Sequence, residues 1–240
     1  MRVLAWVTVV ASLTAVASLT PLHRAIEDND EDQIIELAEA GMNLELMGDA
    51  QETALHMAAR IGSPEVVTAL IKVGADLHAK RKKDQASPLH IAVQHGRAEA
   101  MNLLIKAGAS LDARAQQGAT PLHFAAFANN KQTVAALIKA GAKLEATGDG
   151  WTTPLHWAAE HGRPDSIEVL VAAGANIDAP ARIGTAHIKD KMPTPYDICV
   201  HKKHSPKLCE LLNPNPAPKI KDKKKKKKSK KKKSVEKQEM

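Results

Sequence analysis

Imidazole can ligate a metal or move a proton near neutral pH, and five of the chain's 11 histidines, His23, His56, His90, His123 and His156, stand in one recurring context. A ladder of metal sites is the chemical reading of such a column; one fixed place per repeating unit is the structural one. His201 and His204 are three residues apart on an expected helix, but no carboxylate or thiol is placed beside them, so no zinc site is expected. Asp28, Asp30, Asp32, Glu36 and Glu39 fall on positions one, three, five, nine and twelve of a calcium loop. Gln33 stands where that loop's sharp turn needs glycine, and residues 34–40 read as helix, which cannot wrap an ion. The acidic cluster is therefore expected to be a solvated cap, its carboxylates near a helix N-terminus. No Gly-rich phosphate loop, Gly-x-Ser-x-Gly or His-Glu-x-x-His occurs, and two cysteines exclude a four-Cys zinc site or a disulfide-rich scaffold. Neither catalysis nor a metal or other cofactor is expected.

The elements that position these histidines repeat. Thr20-Pro21-Leu22-His23, Thr53-Ala54-Leu55-His56, Ser87-Pro88-Leu89-His90, Thr120-Pro121-Leu122-His123 and Thr153-Pro154-Leu155-His156 recur, with Thr194-Pro195-Tyr196-Asp197 as a degenerate sixth copy. Their spacings are 33, 34, 33, 33 and 41 residues. Gly41-Met42, Gly74-Ala75, Gly108-Ala109, Gly141-Ala142 and Gly174-Ala175 keep the same register. Thr or Ser caps a helix by accepting a backbone N–H, and proline suits the first helical position, where its missing donor is not needed. Gly96 and Gly162 end that helix in their copies. A second helix follows, as over 64–73, where Val66, Val67, Leu70 and Ile71 have helical spacing, and the glycine of the second marker terminates it. The remaining link, residues 109–119 in one copy, is long enough for a β-hairpin finger. With only 2% aromatic residues in a chain that is 44% hydrophobic, the core must be Ala, Leu, Ile and Val, which suits closely packed helices and argues against most all-β folds.

The period, the Thr-Pro-Leu-His motif and the Gly-Ala marker resemble the ankyrin repeat, over about residues 18–212. The resemblance implies an all-α repeat solenoid of helix-turn-helix units with β-hairpin fingers, about five repeats plus a C-terminal capping repeat, and an L-shaped profile. It implies that the histidines hydrogen-bond loop and cap. It implies a protein partner lying across the concave face made by finger tips and the exposed end of helix one. Carried over position by position, that face comprises Arg60, Ile61, Gln94, His95, Phe127, Ala128, Glu160 and His161, with Trp151 at a finger base. Phe124 and Trp157, which follow the motif His, are read equally as packing. The finger carrying Lys80, Arg81, Lys82 and Lys83 is the one basic patch on the body, either a binding surface or a solvated loop. Cys199 replaces the Ala expected in helix one of the last repeat, and Cys209 lies on the apolar side of helix two. An oxidising compartment permits a disulfide there; in the cytosol both are buried thiols. Between copies five and six the link is eight residues longer, so 181–191 is an enlarged finger, a binding loop or a tolerated insertion.

The two ends differ from the body. Met1 and Arg2 precede an uncharged, mostly apolar run to Ala17, with Ala15 and Ala17 at the −3 and −1 places of a cut, the pattern of a secretory signal peptide over 1–17. Export to a periplasm or the extracellular space is the expectation, with cytoplasm or nucleus as the alternative. Residues 219–240 hold 13 Lys against Asp222, Glu236 and Glu239, a net +10, so the overall +7 hides a body of net −3. The Pro- and Lys-rich tail, 213–240, repels itself and buries nothing, and is expected to stay disordered. It favours polyanions: anionic lipid or envelope polymers if the chain is exported, nucleic acid if it is not. A monomer is expected.

Overall fold

The computed structural model describes residues 20–48, 51–182 and 192–213. Twelve helices lie within them, in six pairs. The first helices of the pairs are α1 (Pro21–Glu27), α3 (Ala54–Ile61), α5 (Pro88–Gln94), α7 (Pro121–Ala128), α9 (Pro154–Glu160) and α11 (Pro195–His201). The second helices are α2 (Glu31–Glu39), α4 (Pro64–Lys72), α6 (Ala98–Lys106), α8 (Lys131–Lys139), α10 (Pro164–Ala172) and α12 (Pro206–Glu210). Successive first helices pack side by side along the whole row, and the second helices back them as an outer layer.

Each start follows from the recurring motif. Thr53, Ser87, Thr120 and Thr153 sit in extended backbone at the cap, and the His three residues on closes a reciprocal capping box. The ends follow from glycine. Gly74, at φ 87°, lets the Ala75 N–H reach the Leu70 carbonyl at 3.0 Å while its own N–H reaches Ile71 at 3.2 Å, which satisfies two orphan carbonyls of α4. Between the layers lie fully buried Leu55, Leu89, Leu122 and Leu155 from the motif, with Ile34, Leu70, Leu104 and Leu137 opposite. The paired small residues Ala58–Ala59, Ala125–Ala126 and Ala158–Ala159 are wholly buried, which is what lets first helices approach so closely.

The fingers differ from the expected β-hairpins: no strand occurs among the described residues. Each finger closes on one bond between its arms, Gly48 N–H to Glu52 at 3.0 Å, Arg81 to Ala86 at 2.9 Å, Ala115 to Ala119 at 2.8 Å and Gly148 to Thr152 at 2.8 Å, with a further bond inside the turn, such as Gln85 N–H to Arg81 at 2.8 Å. A left-handed residue two places before each cap, Gln51, Gln85, Gly118 and Trp151, turns the chain before a ladder can extend. Neighbouring fingers are joined instead by isolated backbone bonds, such as Lys82 N–H to Gln51 and Gln116 N–H to Asp84.

At the C-terminal end, Cys199 of α11 and Cys209 of α12 are joined as a disulfide, with Cα atoms 5.6 Å apart. The expected signal segment 1–17, all of the enlarged finger but Ala181 and Arg182, and the Lys-rich tail beyond Asn213 lie outside the described residues.

Candidate protein-binding groove

The histidine column is structural in its bonding. Thr53 N–H donates to His56 Nδ1 at 3.3 Å, so the ring proton sits on Nε2, which donates to the Ala86 carbonyl of the next repeat at 2.8 Å. His90 and His123 do the same towards Ala119 and Thr152, at 3.1 and 3.0 Å. Each of these three rings thus ties a cap to the following finger. His156 keeps its cap bond from Thr153 N–H, at 3.1 Å, but its buried Nε2 has no hydrogen-bond partner among the described residues, at the junction where the link is lengthened. Burial holds His90, His123 and His156 neutral, their pKa values lowered to about 4 although nearby backbone carbonyls act in the opposite sense. Among the described residues no group of three or more His, Cys, Asp and Glu converges on a metal position. His204 is committed elsewhere: its Nε2 donates to the Glu160 carbonyl at 2.9 Å, its ring packed against Gly162. Asp30 accepts from Gln33 N–H at 3.0 Å as the cap of α2, and its acidic neighbours face solvent.

Along the concave strip the sequence-predicted residues have unequal roles. Ile61 is 37% exposed, and Gln94, His95 and His161 face solvent. The His95 imidazole is pushed below its ordinary pKa by partial burial and by the Arg60 and Arg97 charges. Arg60 is not a free cation; it donates to the Glu52 carboxylate at 2.9 Å. Phe127 and Ala128 are half-buried, and Phe127 is not the exposed anchor its position suggests. Its ring meets His161 edge-on at 4.7 Å, and Arg163 lies over its face at 5.2 Å. Glu160 pairs with Lys202 of α11 at 2.9 Å.

Trp151 is the largest exposed apolar group of the strip, at 48%, and Arg182 covers one face of its ring at 4.1 Å. Rather than at the finger base expected of it, it stands in the turn that closes the finger, because it takes the left-handed conformation at φ 60° that Gln51, Gln85 and Gly118 take in the other fingers.

The basic finger is narrower than its sequence suggests. Lys80, Lys82 and Lys83 are exposed, but Arg81 turns inward and pairs with Asp84 and, at 3.7 Å, with Glu52. Two carboxylates draw it in: Asp84, which it engages with two hydrogen bonds, and Glu52, whose side chain is only 4% exposed and is also paired with Arg60. Burial would raise the Asp84 pKa, but the Arg81 guanidinium and the Ala86 N–H hold it below the usual carboxylate range.

Sequence reasoning missed the feature that organises this surface, a pocket of about 490 Å³ between the third and fourth fingers and the ends of α7 and α9. Phe127, Thr152 and Trp157 line it, with Gln117, Asp149 and Arg182 at the finger side and Glu160 and His161 at the helix side. Phe124 and Trp157 stack at 6.3 Å, so the second aromatic position serves packing and pocket together. No local signal places residues 117, 149, 157 and 182 side by side, because they come from three different copies of the unit.

Paired antiparallel helices stacked in register, fingers on one edge and a strip of accessible side chains between them define a repeat solenoid of the kind that works as a protein-interaction module. The model of the ankyrin repeats, in a form spanning three copies, matches residues 22–115 and 89–181, and the chain belongs to this family. A comparison with curated proteins finds no match.

Proposed function

We propose that the protein is a non-catalytic binding module, exported from the cytoplasm, that holds a protein partner in the groove between its fingers and the exposed ends of α3, α5, α7 and α9. The observation that carries the groove reading is Trp151. A large aromatic residue half in water, in a backbone conformation that favours glycine, stands beside a pocket lined by Phe127 and Trp157, its chain neighbours Gly150 and Thr152 and its stacking partner Arg182 being part of that lining. Packing does not account for it, whereas interface anchors are typically such residues. Export is supported by the signal-like composition of residues 1–17 and is compatible with the Cys199–Cys209 bridge.

The second reading is favoured by the two lysine runs 223–228 and 230–233: a cytosolic or nuclear scaffold held on nucleic acid by its tail. N-terminal sequencing of protein from its native host separates the two. A mature chain beginning near Ser18 supports export; one beginning at Met1 in the soluble cytosol rules it out. The groove is tested by capture from native extract at moderate salt. The specific partner is expected to be retained by protein lacking 219–240 and lost from Trp151→Ala; retention by Trp151→Ala would move recognition away from this strip.

A further inference from the structure

We infer that the partner enters as an extended segment with an acidic run over the second finger and, about six residues away, one large apolar side chain in the pocket floored by Phe127 and Trp157. The inference rests on the groove reading above and specifies its ligand.

Beside the Phe127 and Trp157 rings the polar groups of the lining are already committed, while Gln117 and Asp149 give the pocket a polar finger side. Trp157 Nε1 donates to Thr152 Oγ1 at 3.3 Å, and that hydroxyl donates to the Asp149 carbonyl at 2.9 Å. Glu160 is held by Lys202. The floor therefore offers aromatic surface, which a large apolar group buries without leaving a donor or acceptor unpaired. A partner's cation finds little there: the protein's own guanidinium groups, Arg163 and Arg182, already lie over the rings of Phe127 and Trp151. Trp151 stands beside the pocket, its ring under Arg182, which lines it. The same left-handed place is held by Gln51, Gln85 and Gly118 in the other fingers, so the turn itself does not call for a large aromatic there.

The charge comes from the other end of the strip. With Arg81 neutralised by Asp84 and Glu52, Lys80, Lys82 and Lys83 remain exposed and make no ion pair among the described residues. Lys80 Nζ donates only to the Arg114 carbonyl, at 3.2 Å, which leaves its charge uncompensated. Three like charges on one finger attract a complementary acidic run and repel a basic one. This finger and the pocket are two repeats apart. Stacked helices lie about 10 Å from axis to axis, so the two features are separated by about 20 Å. An extended chain covers that distance in about six residues at about 3.3 Å each.

The test uses the full chain and labelled peptides of fixed composition: three Glu, a Thr-Ser spacer of two, six or ten residues, and one Trp, in both chain directions, with a Trp→Ser control. Fluorescence anisotropy in about 0.15 M salt reads affinity; because every peptide carries the same charge, attraction to the lysine tail is common to all. In one chain direction, the six-residue spacing is expected to bind at least tenfold tighter than the two-residue spacing and than the Ser control. Trp151→Gly, which suits the left-handed backbone and so should fold, is expected to erase both preferences. Lys82→Glu with Lys83→Glu is expected to weaken all the peptides. Equal affinity across spacings and the Ser control, or a Trp preference that survives Trp151→Gly, would each overturn the inference, as would tighter binding of a further peptide with three Lys in place of the three Glu. If that happens while capture of the native partner still depends on Trp151, the ligand chemistry is wrong and the groove reading stands; if capture is also indifferent to Trp151, both fail.

Discussion

His90, His123 and His156 stay neutral inside the solenoid because burial disfavours the imidazolium, and their Nε2 protons point at backbone carbonyls or at no partner. Each has a folded pKa of about 4 against an ordinary value of 6.5, so the unfolded chain takes up the proton first as pH falls. The stability they confer is fully present above pH 6.5 and is lost as pH falls from 6.5 towards 4. Each ring contributes up to about 1.4 kcal/mol per pH unit within that window. Urea unfolding at half-unit steps from pH 7.5 to 4.5 should show a steep decline below about 6.5; a flat profile there would mean the rings are not buried neutral. Trp151 behaves oppositely. Its left-handed backbone costs on the order of 1–2 kcal/mol, and the Arg182 stack returns about 0.5–1 kcal/mol. Trp151→Gly should therefore leave stability within about 1 kcal/mol of wild type, on the stabilising side, as read from the urea midpoint. A clear loss of stability would show that Trp151 is structural.

At the scale of elements, the end units have one neighbour each and must be stabilised locally. The cap formed by α11 and α12 is short, and its links to the preceding repeat include Lys202 to Glu160 and His204 to the Glu160 carbonyl. The Cys199–Cys209 bridge closes a loop of sequence separation 10, for which loop-closure entropy gives about 2.5–3 kcal/mol. Replacing both cysteines with serine should raise hydrogen exchange in α11 and α12 while leaving α3 to α8 protected; uniform loosening would mean the cap holds the whole solenoid together. The helix starts and the glycine stops were legible in the sequence, because each is fixed by residues within a few positions of one another, and the period was legible because those markers recur in register. The fingers were not. Their length suggested a hairpin, but the left-handed residues at 51, 85, 118 and 151 close each finger as a tight turn before paired strands can extend, and three of those four are not glycine. Arg81 sits in a lysine-rich run, yet it is taken up by Asp84 three residues on and, more distantly, by Glu52 of the previous finger, and only the second pairing lacks a local signal. Pairings between repeats leave no mark within either one.

For the whole molecule, charge and apolar surface are separated along the chain. The body sums to −3 and the terminal 22 residues to +10, so attraction to any polyanion is dominated by the tail, while Ile61, Trp151 and the aromatic pocket belong to the solenoid. These two modes respond differently to salt. Exposed lysines act through screened charge and counterion release, so their contribution falls steeply as ionic strength rises. A buried apolar anchor is insensitive to salt and commonly costs 2 kcal/mol or more when truncated, roughly a thirtyfold loss of affinity. Deleting 219–240 should therefore abolish salt-sensitive binding to anionic vesicles or heparin yet barely change affinity for the captured partner at moderate salt. Trp151→Ala should do the reverse, lowering partner affinity roughly thirtyfold and leaving polyanion binding intact. The measurement is a salt titration of both kinds of binding for the intact, tail-deleted and Trp151→Ala proteins. If the tail deletion alone eliminates partner binding at moderate salt while Trp151→Ala binds normally, recognition resides in the tail and the solenoid serves only to carry it.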